Sequence, residues 1–233
     1  MNFRIINKEI ETKLNFIYKN KISKIEIEKY SEKICKLINQ FNKNKNSLIE
    51  NDWSQKTFLL ISYADNLTNH KEKPIKTLEK FLNKNLKQIL ECIHILPFYP
   101  SSGDGGFSVT NHFKVDNNFG NWGDITKISK RFKIMADIVI NHASIKSDWF
   151  QNYLQDKSPG KDYFISIDKT FDISKVVRPR DHDLIQKFKL DNIEKNLWCT
   201  FSEDQVDLNF KNPEVLMDFL EILFHCLNNG INI

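Results

Sequence analysis

Several common chemistries are missing from this chain. Its four cysteines, Cys35, Cys92, Cys199 and Cys226, lie far apart, without the paired spacing that zinc binding or dithiol exchange needs. Cys92 and Cys226 sit in apolar surroundings and read as small core residues. Met1-Asn2-Phe3-Arg4 leads into charged residues with no apolar signal core, and no run is long and apolar enough to span a membrane. A reducing cytoplasm is the expected address. Lys and Arg number 34 against 30 Asp and Glu, a net charge of +4, and the two signs interleave along the chain. No clustered basic patch or nucleic-acid-binding module stands out, so neither a nucleic acid nor a membrane is an expected partner. Glycine is scarce, seven in 233 residues, yet three fall within Gly103 to Gly106.

Hydrophobic residues make up 40%, enough for a core. Residues 1–50 are rich in Lys and Glu but periodic. Ile27, Tyr30, Ile34, Leu37, Ile38 and Phe41 predict a helix over about 24–41, and Ile10, Leu14 and Ile17 a shorter one before it. Asn42 to Asn46 reads as a polar linker. From Thr57 the rhythm changes. Phe58-Leu59-Leu60-Ile61 predicts a buried strand, and Pro74 opens a helix. Ile93-His94-Ile95-Leu96 predicts a second strand, ended by Pro97. A short helix over about 124–130 precedes a third strand, about Lys133 to Ile140. This alternation is the mark of βαβ units on a parallel sheet. Residues 143 to about 205 form a long polar excursion with one expected helix, near Ser147 to Leu154. An insertion of that length in a compact domain is usually functional or a small subdomain. Pro213 then opens a helix with Val215, Leu216, Phe219, Leu220, Leu223, Phe224 and Leu227 as its core face. Gly230 supplies its stop, and Ile231-Asn232-Ile233 reads as the first step of a fourth strand.

Ligands of parallel α/β folds sit beyond the carboxyl ends of the strands. Two polar groups are expected there. Asp137-Ile138-Val139-Ile140-Asn141-His142 ends a buried-strand pattern in two hydrogen-bonding side chains. Ser101-Ser102-Gly103-Asp104-Gly105-Gly106-Phe107 follows strand two. Its glycines allow a close backbone approach, Asp104 can accept two hydroxyl bonds, and Phe107 offers a flat face to a sugar ring. A tight turn capped by Asp104 fits the same residues. No Gly-Lys-Ser/Thr follows, which excludes a P-loop. Asp137 is expected within strand three, where a buried carboxylate needs a cationic partner. An arginine is the expected partner, and no obvious one exists in the chain. Glu203 and Asp204 lie near the same face, but nothing marks them as a poised pair.

These residues resemble the N-terminal part of glycoside hydrolase family 13, the α-amylase superfamily. Asp137 to His142 is similar to its Asp-x-x-x-Asn-His signature, and Gln205-Val206-Asp207-Leu208-Asn209 to the short signature near the end of its domain B. Leu60 to Asp65, His94 to Phe98, Gly103 to Phe107 running into Asn111-His112, and Phe201 are most similar to the sucrose phosphorylase subgroup. The likeness covers about residues 55–233. It implies an α/β fold, a partial (β/α)8 TIM barrel. Residues 1–50 would be an N-terminal helical extension, 55–142 the first three βα units, 143–205 the domain B insertion after strand three, and 206–233 barrel helix three with the start of strand four. It further implies that Asp104 and His142 grip a glucosyl ring, Phe107 forms its platform and Phe201 lies towards the acceptor. Asp137, Asn141, Gln205 and Asp207 would be structural signature residues. No metal or organic cofactor is implied, and inorganic phosphate is the co-substrate. Retaining glucosyl transfer uses two carboxylates about 5 Å apart. By resemblance the nucleophilic Asp and the acid/base Glu belong beyond Ile233. The chain, of a lineage acting on small sugars, is therefore expected to be inactive alone; completion by a second polypeptide is one reading, and the inert product of a disrupted gene is favoured over it. A sugar-binding fragment without catalysis is the third. Arg178-Pro179-Arg180 suits either an anionic acceptor or a solvated basic turn.

Overall fold

The computed structural model describes residues 3–19, 21–44, 54–55, 57–168, 170–177, 180–190 and 193–233. Three parallel strands in the order β1-β2-β3 form its centre: β1 (Leu59–Ser62), β2 (Cys92–Ile95) and β3 (Lys133–Ala136). Leu59 pairs with Cys92 and Cys92 with Lys133, so the three run in step. Ile93, Ile95 and Ile134 are fully buried, each contributing roughly 1.5–3 kcal/mol through removal from water.

The crossovers are α3 (Pro74–Phe81), which runs on into a π turn over Leu82–Leu86, and α4 (Trp122–Ser129). Pro74 starts α3, where its missing N–H costs nothing. A reciprocal capping box starts α4, with Asn121 accepting from the Asp124 amide and Asp124 from the Asn121 amide. Ile75, Leu78, Leu82, Ile125 and Ile128 pack on the sheet.

Strand three is shorter than its apolar run suggests. The ladder stops at Ala136, and Asp137 to Ile140 leave the sheet. The neighbouring strand runs into Leu96-Pro97, and a proline has no N–H to continue pairing. Asp137 therefore stands at the mouth of β3 and not within it. On the other side, Ile231 forms a parallel bridge with Ile134, and the Asn232 amide donates to the Ile134 carbonyl at 2.8 Å.

The excursion departs from the sequence reading. Its helix α5 (Asp148–Leu154) is in place, with Ser147 as N-cap at 3.2 Å from the Phe150 amide. It also holds an antiparallel sheet in the order β5-β7-β6: β5 (Ser166–Ile167), β6 (Ile185–Leu190) and β7 (Ile193–Trp198). The hairpin gives no clear strand signal in the sequence, because polar residues interrupt the apolar ones, Gln186, Lys187 and Lys189 in β6 and Glu194 to Asn196 in β7. The antiparallel pair β4 (His142–Ser144) and β8 (Gln205–Asp207) closes its base.

At the N-terminus, α1 (Phe3–Tyr18) and α2 (Lys24–Asn44) both exceed the lengths read from the sequence. Asn42 to Asn44 belong to α2, whereas the rest of the expected linker lies outside the described residues. Leu14, Tyr18, Ile27, Tyr30 and Ile34 bury a second cluster against Met217 of α6 (Pro213–Asn228). Helix α6 is apolar on two sides for this reason: Val215, Phe219, Ile222 and Cys226 face the sheet, while Leu216, Met217 and Leu220 face α1 and α2. Leu223, expected in its core face, is 38% exposed. Cys92 and Cys226 are buried as expected.

Candidate functional site

The two sequence motifs are side by side. In the β4–β8 pair, His142 sits opposite Asp207, Ala143 opposite Val206 and Ser144 opposite Gln205. The Leu208 amide extends the pairing to the Asn141 carbonyl at 2.9 Å. Motifs more than sixty residues apart thus form one clasp at the top of β3.

The glycine loop closes on this clasp. Ser101 bridges Val109, and the Ser144 amide donates to the Val109 carbonyl at 3.1 Å. Asp104 to Gly106 make a tight turn through the left-handed region, with Asp104 at φ 54° and Gly105 at φ 58°. Gly106 has φ +99°, and a Cβ there would lie 2.5 Å from the Pro97 carbonyl. Gly105 lies over Tyr63, where a Cβ would be 3.3 Å from the phenol oxygen. These two glycines let the backbone lie directly on the ends of β1 and β2.

Five expected site residues come together. Gln205 Nε2 donates to Asp104 Oδ2 at 2.8 Å. His142 Nε2 and the Phe107 carbonyl are 3.0 Å apart, so that nitrogen carries the proton and Nδ1 is an acceptor. The rings of His142 and Phe201 lie 4.9 Å apart. Burial holds the His142 pKa below its ordinary value, opposed by its bond to Phe107 and by the charges of Asp207, Asp104 and Asp204. Asp104 is exposed, whereas Gln205 and His142 are buried. His142 Nδ1 and Gln205 Oε1 are buried without any hydrogen-bond partner. Such orphaned groups cost about 1–3 kcal/mol each unless something else satisfies them.

The remaining signature residues divide. Asp207 accepts from the Thr200 amide at 2.7 Å and hydroxyl at 2.8 Å, tying β8 to the end of β7. Asn141 is exposed and contributes its carbonyl to the clasp. Among the described residues no arginine pairs with Asp137. Its Oδ2 lies 2.8 Å from His94 Nε2, and the pair is part-buried. The sequence signal for that histidine is its place in β2, one strand away and level with Met135, two residues before Asp137. Of Arg178-Pro179-Arg180, the first two lie outside the described residues. The Arg180 guanidinium stands 5.8 Å over the Phe201 ring. Asp204, weighed with Glu203 as a reactive pair, is instead engaged by serine hydroxyls, and Glu203 is exposed. Among the described residues no group of three or more His, Cys, Asp or Glu could hold a metal ion, and no helix is long and apolar enough to cross a membrane.

Comparison with known proteins identifies the family. The family profile for the alpha amylase catalytic domain matches residues 84–232. Glucosylglycerate phosphorylase of Allomeiothermus silvanus is 45% identical over 181 residues, 78% of this chain and 33% of that protein. Sucrose phosphorylase of Streptococcus mutans is 34% identical over 174 residues, 70% of this chain and 35% of that protein. The crystal structure of sucrose 6F-phosphate phosphorylase from Thermoanaerobacter thermosaccharolyticum superposes with a TM-score of 0.70 at 31% identity, covering 78% of this chain and 39% of that one. The chain thus spans about a third of the length of the curated relatives it matches. It belongs to the α-amylase catalytic-domain family, glycoside hydrolase family 13, with glucosylglycerate and sucrose phosphorylases among its relatives.

Proposed function

We propose that this chain supplies the glucosyl-binding part of a retaining α-glucoside phosphorylase. Asp104 and His142 would hold hydroxyls of the glucosyl ring, Phe107 would form its platform, and Phe201 with Arg180 would border the acceptor side. The observation that carries this reading is the pair of orphaned buried acceptors, His142 Nδ1 and Gln205 Oε1, beside the exposed Asp104 carboxylate. Polyhydroxylated ligands are rich in the donors that the two buried acceptors lack, and Asp104 can accept further bonds beside the one from Gln205. Nδ1 is buried, so a ligand hydroxyl reaches it only when its surroundings open. The Arg180 cation would meet inorganic phosphate, the co-substrate, or an anionic acceptor. Asp137, Asn141, Gln205 and Asp207 would shape the clasp, and no organic cofactor takes part.

The architecture proposed is the first part of a (β/α)8 barrel, with residues 143–205 as its inserted domain and residues 1–50 as a helical extension. No pair of carboxylates in these residues is assigned the nucleophile and acid/base roles. Exposed apolar residues at the β1 end of the sheet, Phe58 and Ile61, both 59% exposed, support completion by strands outside these residues. The proposed setting is the cytoplasm, with the activity belonging to an assembly and not to these residues alone.

Mixing this chain with the C-terminal two thirds of the Allomeiothermus silvanus relative tests the proposal. Phosphate-dependent release of glucose 1-phosphate from an α-glucoside is expected from the mixture and from neither part alone. Turnover by the chain alone, or an inert mixture together with no heat on titrating the chain with glucose, contradicts it.

A further inference from the structure

Ser102 and Ser108 bracket the loop that carries Asp104 and Phe107, and Ser144 lies two residues beyond His142. All three hydroxyls meet on one carboxylate. Ser102 and Ser108 donate to Asp204 Oδ2, the latter at 2.5 Å, and Ser144 donates to Oδ1 at 3.2 Å. The hydroxyls also lie against one another, Ser102 at 2.9 Å from Ser108 and 2.6 Å from Ser144. Ser144 is fully buried and Ser108 nearly so. Asp204 is anchored in turn, because its carbonyl accepts from the Ile145 amide at 3.0 Å. The next residue, Gln205, holds Asp104.

We propose that Asp204 is a positioning residue. It sets the distance between the Asp104–Phe107 loop and His142 by drawing both ends of the loop and the β4 strand onto a single carboxylate. Three hydroxyl protons meet the lone pairs of an ionised carboxylate, which is the stronger kind of hydrogen bond. Nothing covalent links the loop to β4. Among the described residues, the other bonds between the loop and β4 are His142–Phe107 and Ser144–Val109, and Gln205 ties Asp104 to the neighbouring β8. Asp204 contacts no reacting group and acts through Asp104, Phe107 and His142. Its bearing on sugar affinity rests on the reading of those residues as a glucosyl site.

Amide hydrogen exchange and ring-nitrogen NMR of the chain test this. Asp204→Ala should make the amides of Gly106, Phe107 and Ser108 exchange about tenfold faster or more, while those of the β1–β2–β3 ladder keep their rates. The His142 Nε2 signal should move, because its acceptor, the Phe107 carbonyl, is no longer fixed. Asp204→Asn should restore most of the protection, since its amide group can donate to the oxygens of Ser102 and Ser108 from the same place. Replacing Ser102 and Ser108 together by Ala should reproduce the Asp204→Ala pattern. Unchanged loop exchange in Asp204→Ala, or equal loosening of loop and ladder, overturns the proposal. Glucose titration of the same variants reports separately on the sugar reading. If the parent chain shows no glucose binding, that reading fails, and the exchange rates still decide the role of Asp204.

Discussion

The glycine loop with its clasp and the helix pair α1–α2 are held by different kinds of force. Around the loop, short polar bonds join residues 35 to 102 positions apart, and two glycines take backbone angles that other residues resist. Under the helix pair, a small apolar cluster seals α1 and α2 onto α6, helped by Tyr30 donating to Glu214 at 2.8 Å. Polar bonds have direction and fix one geometry. Apolar contact has little direction and tolerates more change. Mutations should therefore affect ligand binding in the first region and stability alone in the second.

The largest effect is expected from Gly106→Ala. It combines a positive φ with a Cβ placed 2.5 Å from the Pro97 carbonyl, at an expected cost of about 3–4 kcal/mol. Denaturant unfolding should record this loss, and calorimetry the disappearance of any glucose heat. Leu14→Ala should cost about 3 kcal/mol by opening a cavity under α1, with glucose affinity unchanged. A large change in affinity would break the contrast between the two regions.

A pH dependence of intermediate size comes from His112. It is buried among aromatic rings, which pushes its pKa down to about 4, while its bond to the Val139 carbonyl opposes the shift. The folded state therefore holds His112 neutral. Its stabilising contribution is complete above the unfolded value near 6.5 and is lost as pH falls towards 4. Between pH 7.5 and pH 5 this amounts to roughly 2 kcal/mol. His142 and His225, both lowered chiefly by burial, act in the same direction. Asp218, raised chiefly by burial, acts in the opposite one. His112→Phe should flatten the difference between unfolding midpoints at the two pH values. The smallest effect, about 1 kcal/mol, is expected from Tyr30→Phe, again without change at the loop.

What could be read from the sequence follows the same division. Parallel strands and crossover helices were legible because their apolar runs and periodicity reflect burial directly, although each of the first two strands sits one residue later or earlier than expected. Asp104, Phe107, His142 and Phe201 were legible as a group because they follow strand ends or family motifs. Their partners were not. Nothing local in the sequence says that Asp204 collects Ser102, Ser108 and Ser144, or that His94 takes the place of an arginine beside Asp137. Those contacts depend on register between segments a hundred or forty residues apart. The second apolar side of α6 was misread for a related reason, since the pattern shows that a face is buried but not what buries it.

The central claim is that the tops of β2 and β3 bind a glucosyl unit through Asp104 and His142. Labelling the histidine ring nitrogens and titrating the chain with glucose tests it most directly. The account predicts a saturable shift of the unprotonated Nδ1 of His142 as a sugar hydroxyl donates to it, a shift lost in Asp104→Ala. A His142 signal unmoved at saturating glucose, or moved equally without Asp104, would contradict it.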